Sequence, residues 1–186
     1  MDRRGTGHPR GPLPRLCTGR LGAGGLTPAA GLLNFSGTVW RILFRSQADR
    51  PLAPARAPEG RFHHSGQLAL YTSLSAEGAG IAIRRYVSSD DPPRIILPLQ
   101  VKDIRLADLR GRPEVSAVWQ DIRARGTPSP TWVFSDTARA EGAQGLLYSS
   151  RSRPDLTHLV LFGSGLPVLS LAGPPAPWLS PPATGH

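Results

Sequence analysis

The densest cluster of chemically able side chains is Glu59-Gly60-Arg61-Phe62-His63-His64-Ser65-Gly66, followed at once by Leu68-Ala69-Leu70-Tyr71-Thr72-Ser73. An arginine offers a planar fork that pairs bidentately with phosphate oxygens, and aromatic rings pack against flat heterocycles. A second arginine, Arg41, stands beside Trp40, and Gly145-Leu146-Leu147-Tyr148-Ser149-Ser150 ends on two hydroxyls. No histidine–acid relay is evident around Ser150, so it is not read as a nucleophile. His63 and His64 are adjacent on an extended segment and point opposite ways. With no third His or Cys at ligand spacing, no metal is expected.

Each of these residues also has an ordinary structural reading. Arg41 in an apolar strand can pair with Asp49, and Arg61 after a glycine can decorate a turn. Tyr71 can be core, since aromatics in strands usually pack, and Ser149-Ser150 before Arg151 can be a plain turn.

The elements that must hold these groups follow from periodicity. Thr38 to Phe44 has the β-branched and aromatic content of a strand, and residues 45–60 form a long Pro- and Ala-rich loop. Leu68, Leu70 and Thr72 alternate with Ala69, Tyr71 and Ser73, predicting a second strand. Ser75 is an N-cap candidate with Glu77 in the first turn, and Ala79, Ala82, Ile83 and Tyr86 recur at helical spacing. Arg94 to Val101 reads as a strand in which Pro98 favours an edge or a bulge. Val115, Val118, Trp119 and Ile122 predict one helix with a core-facing stripe, ending near Gly126. A further helix from about Ser129 and strands at 145–150, 158–162 and 166–171 complete an α+β pattern too irregular for a doubly wound sheet.

Composition narrows the classes. The net charge of +9 is almost wholly arginine, since Lys102 is the only lysine, and arginine bias fits a GC-rich genome as well as a selected anion-binding role. Arg3, Arg4, Arg10, Arg15 and Arg20 face only Asp2 in the first twenty residues; such a tail binds nucleic acid nonspecifically. No zinc pattern, helix-turn-helix or aromatic RNA-binding motif accompanies it, so nucleic acid is not expected as the partner. Cys17, the only cysteine, excludes a disulfide framework within one chain. No apolar run approaches the roughly 18 residues of a membrane span, and Pro, Gly and Arg interrupt any signal-peptide core, so a cytoplasmic location is expected. Residues 1–36 are expected to be a disordered basic tail, 37–172 a single domain, and 173–186 a Pro-rich C-terminal tail.

In order and spacing, Trp40-Arg41, Gly60-Arg61-Phe62 with Gly66, Tyr71, and Gly145-Leu146-Leu147-Tyr148-Ser149-Ser150 resemble the RES-domain family, over roughly residues 38 to 162. That resemblance implies a mixed sheet with a few helices, similar to the ADP-ribosyltransferase fold, and the toxin half of a RES/Xre toxin–antitoxin pair. It implies NAD as substrate, with no metal, consumed by phosphorolysis, hydrolysis or ADP-ribosyl transfer. Arg41 and Arg61 are then placed on the phosphates or ribose, Tyr71 on the nicotinamide riboside, Phe62 among the residues that bind the dinucleotide, and Ser150 on the opposite wall. The implied partner is an Xre-type antitoxin; a homodimer and a protein acceptor stay open. The departure is in the helix after Tyr71-Thr72-Ser73, where the family glutamate falls on Ala82. Three explanations remain: Glu77 or Glu59 reaches the site from elsewhere, the chemistry tolerates the loss, or the chain binds without catalysing.

Overall fold

The computed structural model describes residues 31–163 and 168–179. The basic tail as far as residue 30, with Cys17, and the run Pro181-Pro182 lie outside them. The strands are β1 (Leu32–Phe44), β2 (Ala69–Ser73), β3 (Arg94–Asp108), β4 (Gly145–Ser149), β5 (Thr157–Phe162), β6 (Leu169–Leu171) and β7 (Ala176–Trp178). The helices are α1 (Ala76–Ile83), α2 (Trp119–Ala124) and α3 (Trp132–Ala140), with 3-10 turns at 45–47, 84–86 and 113–116.

The seven strands form one mixed sheet in the order β1-β2-β5-β4-β3-β6, with β7 also on β3. β1 pairs with β3 along nearly its whole length, so β1, β3, β4, β5 and β2 close on themselves. Only β3 and β4 run parallel. Inside this curl, Val39, Leu70, Leu97, Leu99, Ile104, Leu147, Leu159 and Leu161 form the main core. Alternation along each strand sends Ala69, Leu146, Val160 and Phe162 to the opposite face, where they pack with Phe62, Val115 and Ala138. This second cluster positions the site, because it seats the turn after Gly60 and helix α3 on the sheet.

Three expectations change. The stripe from Val115 to Ile122 is not one helix: a 3-10 turn at Pro113–Ser116 is followed by the short α2, and only Val115 is fully buried. Pro113 at the start and the extended backbone of Ala117 and Val118 break the run. Pro98 lies in the middle of the sheet, opposite Trp40 of β1. Its carbonyl accepts from the Ala172 N–H, so its missing N–H lies on the same side, in the gap between β6 and β7. Finally, β1 begins at Leu32 and β7 pairs with β3, so sheet structure extends past residues 36 and 172. Helix α1 is as expected, with the Ser75 hydroxyl accepting from the Gly78 N–H at 3.0 Å.

Candidate functional site

A cleft of about 860 Å³ opens at the end of β2, β5 and β4, on the face of the second cluster. Its floor is a row across four strands: Trp40 of β1 is opposite Ser73 of β2, Ser73 opposite His158 of β5, and His158 opposite Tyr148 of β4. All four residues line the cleft. One wall is the turn from Glu59 to His63, and another is α1 with the turn that follows it, carrying Ala82, Arg84, Arg85 and Tyr86. Trp119 and the segment from Ser150 to Ser152 complete the rim.

The first wall is held by its own backbone. Three successive carbonyls are each bonded by a side chain from the α3 region: Gly60 by the Trp132 indole at 2.8 Å, Arg61 by the Thr131 hydroxyl, and Phe62 by Arg139 at 3.1 Å. On the cleft side, His63 Nε2 faces the Ala57 carbonyl at 3.0 Å and therefore carries the proton. Its Nδ1 accepts from the Tyr71 hydroxyl at 2.9 Å, and that hydroxyl accepts from the Phe62 N–H at 3.0 Å. A side chain on residue 60 would put its Cβ 2.4 Å from the His63 ring, so glycine lets the turn close.

Arg61 reaches across the cleft, its Nη1 donating to the carbonyls of Val115 at 3.2 Å and Ala117 at 2.8 Å. Arg41 is buried and donates to the Pro51 carbonyl at 2.6 Å. Asp49 is not its partner; that carboxylate lies beside Arg50 on the surface. Burial lowers Arg41 to about 10, which leaves it charged at neutral pH. Ser150 is buried and lines the cleft, its N–H donating to the Leu156 carbonyl at 2.8 Å. Tyr71 presents its ring while its hydroxyl is engaged by the turn, and burial pushes that hydroxyl well up from its ordinary range. Phe62 is fully buried, edge-on to Tyr148 with ring centres 4.8 Å apart, and belongs to the core beneath the turn, not to the lining. The wall passes from Arg61 to His63 because alternate side chains point opposite ways.

Five arginines line the cleft (Arg41, Arg61, Arg84, Arg85 and Arg151), against Glu59 as the one acid among the described lining residues. Glu59 is clasped by Arg123 through two bonds of 2.8 and 2.9 Å, and those bonds hold its carboxyl below the usual range. Glu77 lies on the outside of α1, 2.8 Å from Arg153, and does not line the cleft. Ala82 does line it. His64 turns away from the cleft to stack on Trp132 and meet Asp136 at 3.0 Å. Among the described residues, no group of three or more His, Cys, Asp or Glu could hold a metal.

Residue types and spacing alone do not single out His158, Ser73, Tyr148 or Trp119 as site residues. Period-two alternation is a usable signal for two of them, since it puts Ser73 beside Tyr71 and Tyr148 beside Ser150 on one face. His158 has no local signal. It arrives through a strand pairing 85 residues away, and its Nδ1 lies 2.7 Å from the Ser73 hydroxyl.

Burial, with a smaller repulsion from Arg61, lowers His158 to about 4. The unfolded imidazole titrates near 6.5, so between these values the unfolded chain binds a proton that the folded chain refuses. Stability is expected to fall as pH drops from about 6.5 towards about 4, by on the order of 3 kcal/mol in total. Glu59, Asp91, Asp108, Asp136 and Asp155, all lowered, act at the bottom of this window and below it. Urea unfolding across the window checks this: His158→Phe should flatten most of the slope, and an unchanged slope would show that the imidazole is not held neutral.

A curled mixed sheet with a basic cleft at one end, floored by aromatic and hydroxyl side chains, defines an α+β domain. Residues 38–179 match the RES domain. The chain belongs to the RES domain family. Among solved structures it is similar to a chain of the M. tuberculosis MbcT–MbcA toxin–antitoxin complex, with a TM-score of 0.52 and 15% identity. That match covers 81% of this chain and 88% of the other, and at this identity the likeness is one of fold. No curated protein matches.

Proposed function

We propose that this chain is a RES-type toxin that acts on NAD, breaking the nicotinamide–ribose bond with phosphate, water or a protein side chain as acceptor. An antitoxin of the Xre type covers the cleft and silences it. The observation that carries the reading is the charge pattern of the cleft: five arginines around an uncharged aromatic and hydroxyl floor. A dinucleotide has that pattern, an anionic pyrophosphate between two flat rings.

In this reading the pyrophosphate lies along the arginines, with Arg61 braced by two carbonyls so that its remaining N–H groups are oriented in advance. Trp119 and Tyr86 at the rim offer faces for the adenine. Bond cleavage develops positive charge on the ribose, and the residues around Ala82, Ser73 and His158 surround that end. MbcT–MbcA is a toxin–antitoxin complex, which supports an antitoxin as the partner of this chain. No helix among the described residues is long and apolar enough to cross a membrane. A cytoplasmic location belongs to the toxin reading, since NAD and the antitoxin would be met there.

A second reading, a dinucleotide- or antitoxin-binding module without turnover, is favoured by one observation. Ala82 occupies the cleft, and the one acid lining it is tied to Arg123. Incubation with NAD, with and without phosphate, separates the two. Nicotinamide release is expected of the toxin, whereas NAD binding without release by clean protein sustains the module. In either case Arg61→Ala is expected to weaken NAD binding about thirtyfold, the worth of a charge-assisted hydrogen bond. Calorimetry measures this, and an unchanged affinity would remove Arg61 from the phosphate site.

A further inference from the structure

We propose that His158, pinned by Ser73, hydrogen-bonds the ribose that carries nicotinamide through its Nε2. This rests on the reading that NAD occupies the cleft.

The geometry comes from strand register. Ser73 and His158 are directly opposed on β2 and β5, and both are almost completely buried, at 1% and 4% exposure. The 2.7 Å bond uses His158 Nδ1. Nε2 has no partner among the described residues, while the residue lines the cleft. Nε2 is not among the buried unpaired atoms, so this ring nitrogen is open to the cleft, where a ligand or water can meet it. In the neutral ring one nitrogen carries the hydrogen. Whichever tautomer Ser73 selects, Nε2 can bond a ribose hydroxyl, because a hydroxyl both donates and accepts.

Placement on the nicotinamide side follows from helix packing and charge. Helix α1 lies over β1, β2 and β5. A Cβ on Gly78 would sit 3.1 Å from that of Ser73, so the helix backbone rests on the pinned pair. Ala82 is one turn further along the same helix and also lines the cleft. The oxidised nicotinamide ring is cationic and is repelled by arginines, which draws it to the uncharged floor while the pyrophosphate takes the charged walls. Burial keeps His158 neutral at pH 7, so it adds no repulsion there. Tyr148, with its ring centre 5.1 Å from the imidazole, backs His158 from the other side.

ADP-ribose and ADP differ by this ribose, and neither can release nicotinamide, so their affinities report the contact without turnover. Calorimetry of the full chain is expected to show His158→Phe weakening ADP-ribose and NAD about tenfold, with ADP changed less than twofold. Ser73→Ala, which leaves the ring in place but unpinned, is expected to weaken ADP-ribose about threefold and spare ADP; it carries the comparison if His158→Phe does not fold. His158→Gln, whose amide both donates and accepts, should recover most of the loss. ADP-ribose and ADP weakened equally, or neither weakened, would overturn the His158 contact and leave the NAD cleft standing. A wild-type chain that binds no NAD overturns both.

Discussion

Replacing Ala82 by glutamate is expected to raise nicotinamide release from NAD about hundredfold, equivalent to about 3 kcal/mol at the transition state. Cleavage of the nicotinamide–ribose bond leaves positive charge on the sugar, and a carboxylate beside it stabilises that charge more than it stabilises the ground state. The described cleft has no carboxylate free to do this. Glu59 is held by Arg123, and Glu77 is held by Arg153 on the outside of α1. Position 82 is on the cleft-facing side of α1 and is exposed, so the new carboxylate enters without being buried. Helix α1 is already capped by Ser75, and glutamate is a good helix former, so stability should change little. Single-turnover nicotinamide release measures the gain, with Glu77→Gln as a control expected to stay within twofold of wild type. An Ala82→Glu protein that folds, binds NAD and is no faster would show that this cleft does not use a charge at that point.

Gly145→Ala is expected to lower the unfolding free energy by about 3 kcal/mol or more, which corresponds to a fall of roughly 10 °C in Tm. Gly145 opens β4 where the strand is inserted between β3 and β5. A Cβ there would stand 2.3 Å from the Val160 carbonyl oxygen, 3.0 Å from Leu106 Cδ2 and 3.3 Å from Leu161 Cα. Two of these neighbours are sheet backbone, which cannot retreat without breaking its ladder. Gly111 is the contrast. Its Cβ would meet nothing within 4 Å, but its φ of +74° is strained for alanine, so Gly111→Ala should cost only about 1 kcal/mol. Differential scanning calorimetry of the two variants checks the difference. Equal losses would mean that backbone conformation, not close approach, accounts for Gly145.

One motif can hold residues with different duties. Gly145 and Tyr148 belong to one short run, yet the glycine is required by strand contact and the tyrosine by the cleft. Gly60-Arg61-Phe62 divides in the same way: the glycine closes the turn, the arginine enters the cleft and the phenylalanine anchors the core. Spacing alone identifies such runs but does not tell ligand contacts from supports.

Local chemistry made several elements legible in the amino-acid sequence. Alternation over Leu68 to Ser73 gave β2 within a residue, and Ser75 marked the start of α1, because pleat and capping depend on neighbours a few residues apart. The same local reasoning failed at Val115 to Ile122. Helical spacing was present there, but Arg61 binds the Val115 and Ala117 carbonyls from across the cleft and the backbone extends at Ala117 and Val118. It failed at Pro98 because the gap that accommodates the missing N–H is made by β6 and β7, more than seventy residues later.

The α+β class, the RES-like order of motifs, the wealth of arginine and the alanine at position 82 are all carried by residue identity and short-range spacing, and can be read without coordinates. Folding settles the rest: which arginines share a cleft, that Phe62 lies beneath the site, that Glu59 and Glu77 are already paired, and that His158 meets Ser73. The reason is register. Long-range strand pairing brings residues 40, 73, 148 and 158 into one row, and a shift of one residue in any strand would turn its member away from the cleft.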